Sequence, residues 1–166
     1  MLTDYFHVQL RQGMEVVLPL DSAVEVITLN QKEICPIPGV SPALLGVVNQ
    51  RGKLLWVLQL SDFLGLANSP NQVRLQDNLI LLVVTTELAN SSAIGRECQL
   101  ACVVSALKGI VTLNSIKIKP VSARLAPNLG SFLSGVTEIE QSVVGVLNVN
   151  TVLSGISVYT NSSVSI

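Results

Sequence analysis

The sequence predicts a mainly β protein written as two similar halves, each large enough to curl into a small barrel of roughly five strands. Three observations carry this. Short runs rich in Val, Ile and Leu recur along the chain with turn-forming residues between them, too short for core helices. An offset of 89 residues brings several of these runs into coincidence, together with a proline and a glycine. Charge is scarce: Asp, Glu, Lys and Arg make up 13% of the 166 residues against 49% apolar types. That is about half the ~25% charged fraction usual in soluble chains, and it leaves ample apolar surface for a core.

The elements follow in order. Tyr5-Phe6-His7-Val8 reads as a first strand, with His7 at an edge or on the surface. Val16–Leu20 and Val24–Leu29 are the next strands, and Val24 and Val26 read as core. Ser41 followed by Pro42 and closed by Gly46 has the form of a capped single helical turn. Leu54–Leu60 is a strand, and Ser61-Asp62-Phe63-Leu64 ending at Gly65 is a second short helical turn. Asn68–Gln72 consists of turn formers and predicts the loop that joins the halves. Leu79–Thr85, Leu100–Val104, Ile110–Leu113 and Val143–Val149 are later strands, with Asn90-Ser91-Ser92 as a hairpin tip. Gly155 ends a last helical turn, so Ile156-Ser157-Val158-Tyr159 reads as an extended tail.

At the offset of 89, Leu18 meets Leu107, Ile27 meets Ile116 and Pro38 meets Pro127. Gly46-Val47 meets Gly135-Val136, Val57-Leu58 meets Val146-Leu147, and Leu64 meets Leu153. The halves implied are residues 15–67 for the first barrel, and 1–14 with 73–155 for the second, leaving 156–166 as tail. Neither would bury much apolar surface alone, so the two should share an interior and form one domain over residues 1–160.

Several functions are excluded by what the residues cannot supply. One histidine and three cysteines are too few for a metal centre or a nucleophile–base pair. Cys98 and Cys102 lie on a strand, where the extended rise holds them roughly 13 Å apart, so they read as buried thiols. Glu138 and Glu140 read as a solvated strand face, and no glycine-rich phosphate loop is present. No enzyme activity and no cofactor are expected. Ten Lys and Arg against eleven Asp and Glu leave a net charge of −1 without a basic patch, which argues against nucleic acid. Mean hydropathy is high at +0.56. Yet the longest unbroken apolar run is Leu79–Val84, far short of the ~20 residues a spanning helix needs, so no membrane insertion is expected. The N-terminus lacks a signal-peptide pattern, which points to the cytoplasm. A surface poor in charge and rich in aliphatics suits a protein–protein interface. The alternative is a barrel that encloses a small apolar ligand.

The residues also resemble the CheW family, the scaffold proteins of bacterial chemotaxis arrays. The likeness begins with Phe6 and Val8, Val16–Leu20 and Val24-Glu25-Val26-Ile27. Ile37-Pro38 then leads to Leu45-Gly46-Val47-Val48-Asn49-Gln50-Arg51-Gly52-Lys53, which is similar to the family's most recognisable stretch. Val57–Leu60, Phe63–Leu66, Leu100–Leu107 and Leu133 through Leu153 follow in the family's order. The resemblance implies two intertwined five-stranded barrels and a non-catalytic adaptor that couples methyl-accepting chemotaxis receptors to a CheA-type histidine kinase. It leaves flagellar and pilus-based motility both open.

Carried over residue by residue, the resemblance places Arg51 in a partner-facing groove, where a planar guanidinium can bind a carboxylate or carbonyls bidentately. It has Asn49 and Gly46 shape the turn that presents Arg51, and sets Glu25 near the same groove. Val47 and Trp56 complete the interface set, Val47 reading more readily as core and Trp56 equally as core plug or exposed anchor. The chain departs from the family where Trp56 replaces a usual Pro, and where Gln59 and Ser105 each replace a frequent Asp.

Overall fold

The computed structural model describes residues 1–66, 78–87, 97–122 and 127–163. Its strands are β1 (Leu2–Gln9), β2 (Glu15–Pro19), β3 (Ala23–Asn30), β4 (Leu44–Gln50), β5 (Lys53–Gln59), β6 (Asn78–Glu87), β7 (Glu97–Val104), β8 (Ala106–Asn114), β9 (Leu133–Ile139) and β10 (Ser142–Leu147). Its α-helices are α1 (Leu60–Phe63), α2 (Pro127–Gly130) and α3 (Val149–Ser163). The strands form two curled five-stranded sheets. The first barrel has the order β3-β6-β7-β5-β4 and the second β8-β1-β2-β10-β9.

The mainly β class and the two intertwined barrels are as expected, but the halves are cut differently. β2, assigned from the sequence to the first barrel, pairs with β1 in the second through Phe6↔Leu18 and Val8↔Val16. Conversely, β6 and β7 belong to the first barrel. Each repeat thus lends its leading hairpin to the other's sheet. The choice is made by long-range parallel pairings, Val16 beside Gly145 and Leu100 beside Trp56. An aliphatic run announces a buried strand but carries no information about its distant neighbour.

The internal repeat is real, with one change of register. β4 and β9, and β5 and β10, keep the offset of 89 seen in the sequence, including Gly46 with Gly135. Upstream the offset is shorter. Asn30 accepts from the Lys32 N–H at 2.9 Å and Asn114 from the Ile116 N–H at 3.1 Å, each capping an equivalent short 3-10 turn. The Ile27–Ile116 match is therefore accidental, since Ile27 lies in β3 and Ile116 in the turn Ser115–Lys117. So is Leu18 with Leu107, which lie in non-equivalent strands β2 and β8. The extra residues of the second repeat fall between the bridged pairs, Cys35 with Val47 and Lys119 with Val136.

Among the described residues, three apolar clusters hold the fold. Leu29, Leu55, Val57, Leu81 and Val83 fill the first barrel, while Tyr5, Val17, Leu113, Val144 and Val146 fill the second. The largest cluster lies between them. Val8, Val16 and Leu18 come from the second barrel, Leu58, Leu82, Leu100 and Cys102 from the first, and Val152, Leu153 and Ile156 from α3. This is the expected shared interior. Successive residues of β5 point alternately into the first barrel and into the shared layer, so a central strand is apolar on both faces. Burying a Leu or Val fully contributes about 1.5–3 kcal/mol, which makes the shared layer the main tie between the barrels.

The C-terminal segment corrects the sequence reading outright: residues expected as an extended tail continue α3. Asn148 caps its start, accepting from the Thr151 N–H at 3.2 Å. Gly155 does not end the helix. A Cβ there would lie 3.1 Å from the Phe63 ring and 3.3 Å from the Phe132 ring, so the glycine makes room for two contacting phenyls, 4.6 Å between centroids. At the start of β4, Ser41–Leu44 forms a non-helical turn closed by the Leu44 N–H donating to the Ser41 carbonyl at 2.9 Å. The turn at Ser61–Gly65 is helical as expected, with Gly65 at φ +80° beyond its end.

Other single residues also fall differently. His7 is buried, because β1 is flanked by β2 and β8 rather than lying at an edge. Val24 and Val26 are exposed at 45% and 39%, since β3 is an outer strand and both side chains face away from its barrel. Glu138 lies in β9 but Glu140 sits in the following turn at φ 49°, so they share no strand face. Cys102 is buried, and burial pushes its thiol up to about 12. The predicted loops Asn68–Gln72 and Asn90–Ser92 and the Cys98 side chain lie outside the described residues.

Candidate functional site

Arg51 and Gly52 are the two loop residues of the β4–β5 hairpin, with Gln50 opposite Lys53. Both have positive φ, 53° and 83°, as a type I′ turn requires. The Gly52 N–H donates to the Asn49 side-chain oxygen at 2.9 Å, which pins the loop from below. Arginine has no natural preference for the first loop position; Asn or Gly would fit it better. The guanidinium is consequently held clear of the barrel, with the side chain 81% exposed.

Glu25 meets it from the opposite edge of the sheet. β3 and β4 are the outermost strands of the first barrel, yet Arg51 Nη1 lies 3.8 Å from Glu25 Oε2. Only the curl of the sheet brings these edges together. Glu25 follows the break in register between β3 and β6 at Ala23, where a bulge leaves Val24 unpaired. Gln50 and Leu55 of the hairpin and Gln99 of β7 line the shallow depression between Glu25 and Arg51. Lys53, also exposed, adds a second cation at its rim. The ion pair is long and solvent-screened, so both groups are available to another molecule.

The remaining expected residues lie farther down the same hairpin. Val47 pairs directly with Trp56 across β4 and β5, and both are half-buried. Trp56 packs against the shared core on one side and remains half-buried. Gly46 does not shape the tip. It lies inside β4 at φ +141°, and a Cβ there would sit 2.1 Å from the Cys35 carbonyl oxygen. Its task is to let the Cys35 segment bond across it, with Cys35 and Val47 exchanging N–H···O bonds at 2.8 and 2.9 Å.

The sequence reading missed Gln50, Lys53, Leu55 and Gln99. Lys53 and Gln50 flank Arg51 and could have been included from hairpin geometry alone. Gln99 arrives through the parallel β5–β7 pairing and had no local signal. Equally unforeseen was the sign change at the equivalent hairpin: Glu140 and Gln141, at φ 49° and 69°, occupy the tip of β9–β10 where the first barrel has Arg51 and Gly52. The two barrel ends therefore offer different chemistry on the same backbone.

Among the described residues, no helix is long and apolar enough to cross a membrane, and no three His, Cys, Asp or Glu side chains gather as a metal site. No curated protein sequence matches the chain. Among solved structures it is similar in fold to the scaffolding protein TtCheW from Thermoanaerobacter tengcongensis, with a TM-score of 0.69 and 16% identity over 89% of this chain and 90% of that one. The CheW-like domain family matches residues 4–157, almost the whole length, and the chain belongs to that family.

Proposed function

We propose that this protein is a non-catalytic adaptor that couples methyl-accepting chemotaxis receptors to a CheA-type histidine kinase in the cytoplasm. The observation that carries the reading is the CheW-like match over residues 4–157, joined to an exposed Arg51 beside Glu25 at one barrel end. In this reading Arg51 makes bidentate bonds to a carboxylate or to backbone carbonyls on the partner. Glu25 and Asn49 orient it, while Gly46, Val47 and Trp56 hold the hairpin that presents it. The barrel interiors are occupied by their own side chains, Val57, Leu81, Val83 and Ala101 being fully buried, and this supports docking at the outer surface over uptake of an apolar ligand.

Co-sedimentation tests the proposal. The protein should pellet with receptor-bearing membranes and carry a CheA-type kinase with it, and Arg51→Ala should weaken one of these associations by at least about tenfold. Failure of the unmodified protein to bind either partner would end the adaptor reading, and full binding by Arg51→Ala would remove that residue's role. Swimming and twitching assays on a deletion strain separate flagellar from pilus-based output.

A further inference from the structure

The inward-facing columns of the first barrel turn polar where they reach its mouth. Ile27 and Leu29 of β3, Leu55 and Val57 of β5, and Ala101 and Val103 of β7 face the interior, and strand alternation puts Glu25, Lys53 and Gln99 on the same side, one rung higher. β6 adds a fourth: beyond Leu81 and Val83 comes Thr85, opposite Gln99. Its hydroxyl oxygen is buried and, among the described residues, has no hydrogen-bond partner. Arg51 joins this rung from the hairpin tip. The space lined by Glu25, Arg51, Lys53 and Gln99 is about 170 Å³. That is short of the roughly 300–1,000 Å³ of a small-molecule pocket, so it suits the end of one side chain.

Charge decides which side chain. Arg51 and Lys53 share the mouth with a single Glu25, and Lys53 has no ionic partner among the described residues, so one positive charge is left uncompensated. Gln99 and Thr85 add neutral donors. The fold does not require these groups. On the same backbone the second barrel has Glu140 in place of Arg51, Ser142 in place of Lys53 and Glu15 in place of Gln99.

We propose that the mouth of the first barrel is a socket for one acidic side chain of the docked partner, and that Lys53 sets this specificity. The inference deepens the adaptor reading and rests on it only for the partner's identity. A glutamate or aspartate entering the mouth places its carboxylate between the Arg51 guanidinium and the Lys53 ammonium, while the Gln99 amide and the Thr85 hydroxyl donate from below. Its charge cancels the excess. A glutamine or asparagine there leaves one cation unpaired, which is the basis of discrimination. Glu25 limits the socket to a single carboxylate, because a second would meet it as a like charge.

NMR titration of the full chain with a capped glutamate, N-acetyl-glutamate methylamide, tests the socket without any partner. The Gln99 side-chain amide and the Arg51 Nε–H should shift with the capped glutamate and stay put with the capped glutamine. Lys53→Gln, an exposed change that leaves the core intact, should weaken the response by roughly threefold or more. Equal responses to the two probes, no response to the capped glutamate, or an unchanged response in Lys53→Gln would each overturn the socket. In co-sedimentation, Lys53→Glu should weaken partner binding by at least about tenfold, and full binding by that variant would overturn it too. Selective binding of the capped glutamate by a protein that meets neither receptor nor kinase would uphold the socket and end the adaptor reading alone.

Discussion

Gly46 and Gly135 stand at the same point of the two barrels, each pressed against a backbone carbonyl of the segment that bridges its strand: Cys35 at 2.1 Å and Lys119 at 2.8 Å from the position a Cβ would take. The contact was duplicated along with the strands. It explains why a glycine is one of the few residues that both repeats retain.

Alanine at either position should therefore destabilise the fold, and Gly46→Ala should cost more. Its Cβ would press on the backbone of Cys35 and Pro36, which cannot turn aside, and its φ of +141° is unfavourable for an L side chain. A loss of about 2–4 kcal/mol is expected, measured by urea unfolding. At Gly135 the nearest atom is the Ile118 Cγ2 methyl at 2.6 Å, which can turn aside in part, so the loss should be smaller.

Arg51→Asn should separate stability from binding. Asn tolerates the left-handed conformation that Arg51 adopts at φ 53°, and the ion pair lost is long and mostly exposed. The thermal midpoint should hold or rise slightly, while partner co-sedimentation falls. A clear drop in the midpoint would show that Arg51 supports its own barrel.

Arg11 ties the barrels together at the surface. Its side chain pairs with Asp62 of α1, and its backbone N–H donates to the buried Ser61 hydroxyl at 3.2 Å, so the β1–β2 connection of the second barrel is fastened to the helix that ends the first repeat. A double-mutant cycle of Arg11→Ala and Asp62→Ala should give a coupling of about 1 kcal/mol, near the upper end for partly exposed pairs. Ser61→Ala should cost about 1 kcal/mol by leaving that N–H unpaired.

Alkaline pH should loosen the fold through Cys102. Its thiol is pushed up to about 12 from 9.0 by burial, so the folded state keeps a proton that the unfolded state releases. The contribution is complete below pH 9.0 and is lost as pH rises towards 12, at up to about 1.4 kcal/mol per pH unit. Unfolding midpoints measured from pH 8 upward should fall in the parent and fall less in Cys102→Ala. In the folded protein the exposed Cys35 should react with a thiol reagent at once and Cys102 only on unfolding.

Much of this fold was legible in the sequence because its signals are local. β-branched runs marked the strands, Gly65 marked the end of α1, and the match of Gly46-Val47 with Gly135-Val136 marked the duplication. Distant pairings were not legible. Nothing in Val16-Val17-Leu18 says that its parallel neighbour is β10, so the halves were divided in the wrong place. Gly155 misled because a glycine that frees space for Phe63 and Phe132 is spelled the same as one that ends a helix. At the candidate site, Arg51 and Asn49 were reached only through the resemblance to the CheW family, whereas Gln99 required knowledge of which strand lies beside β5.

The exchange of leading hairpins has a bearing on synthesis at the ribosome. Every strand of the first barrel lies within residues 23–104, an unbroken stretch of nascent chain, whereas the second waits for β8, β9 and β10. Until those emerge, β1 and β2 have only each other, and both outer margins of that ribbon stay open to strangers. The interval between the appearance of β7 and that of β10 therefore sets how long the ribbon remains unguarded.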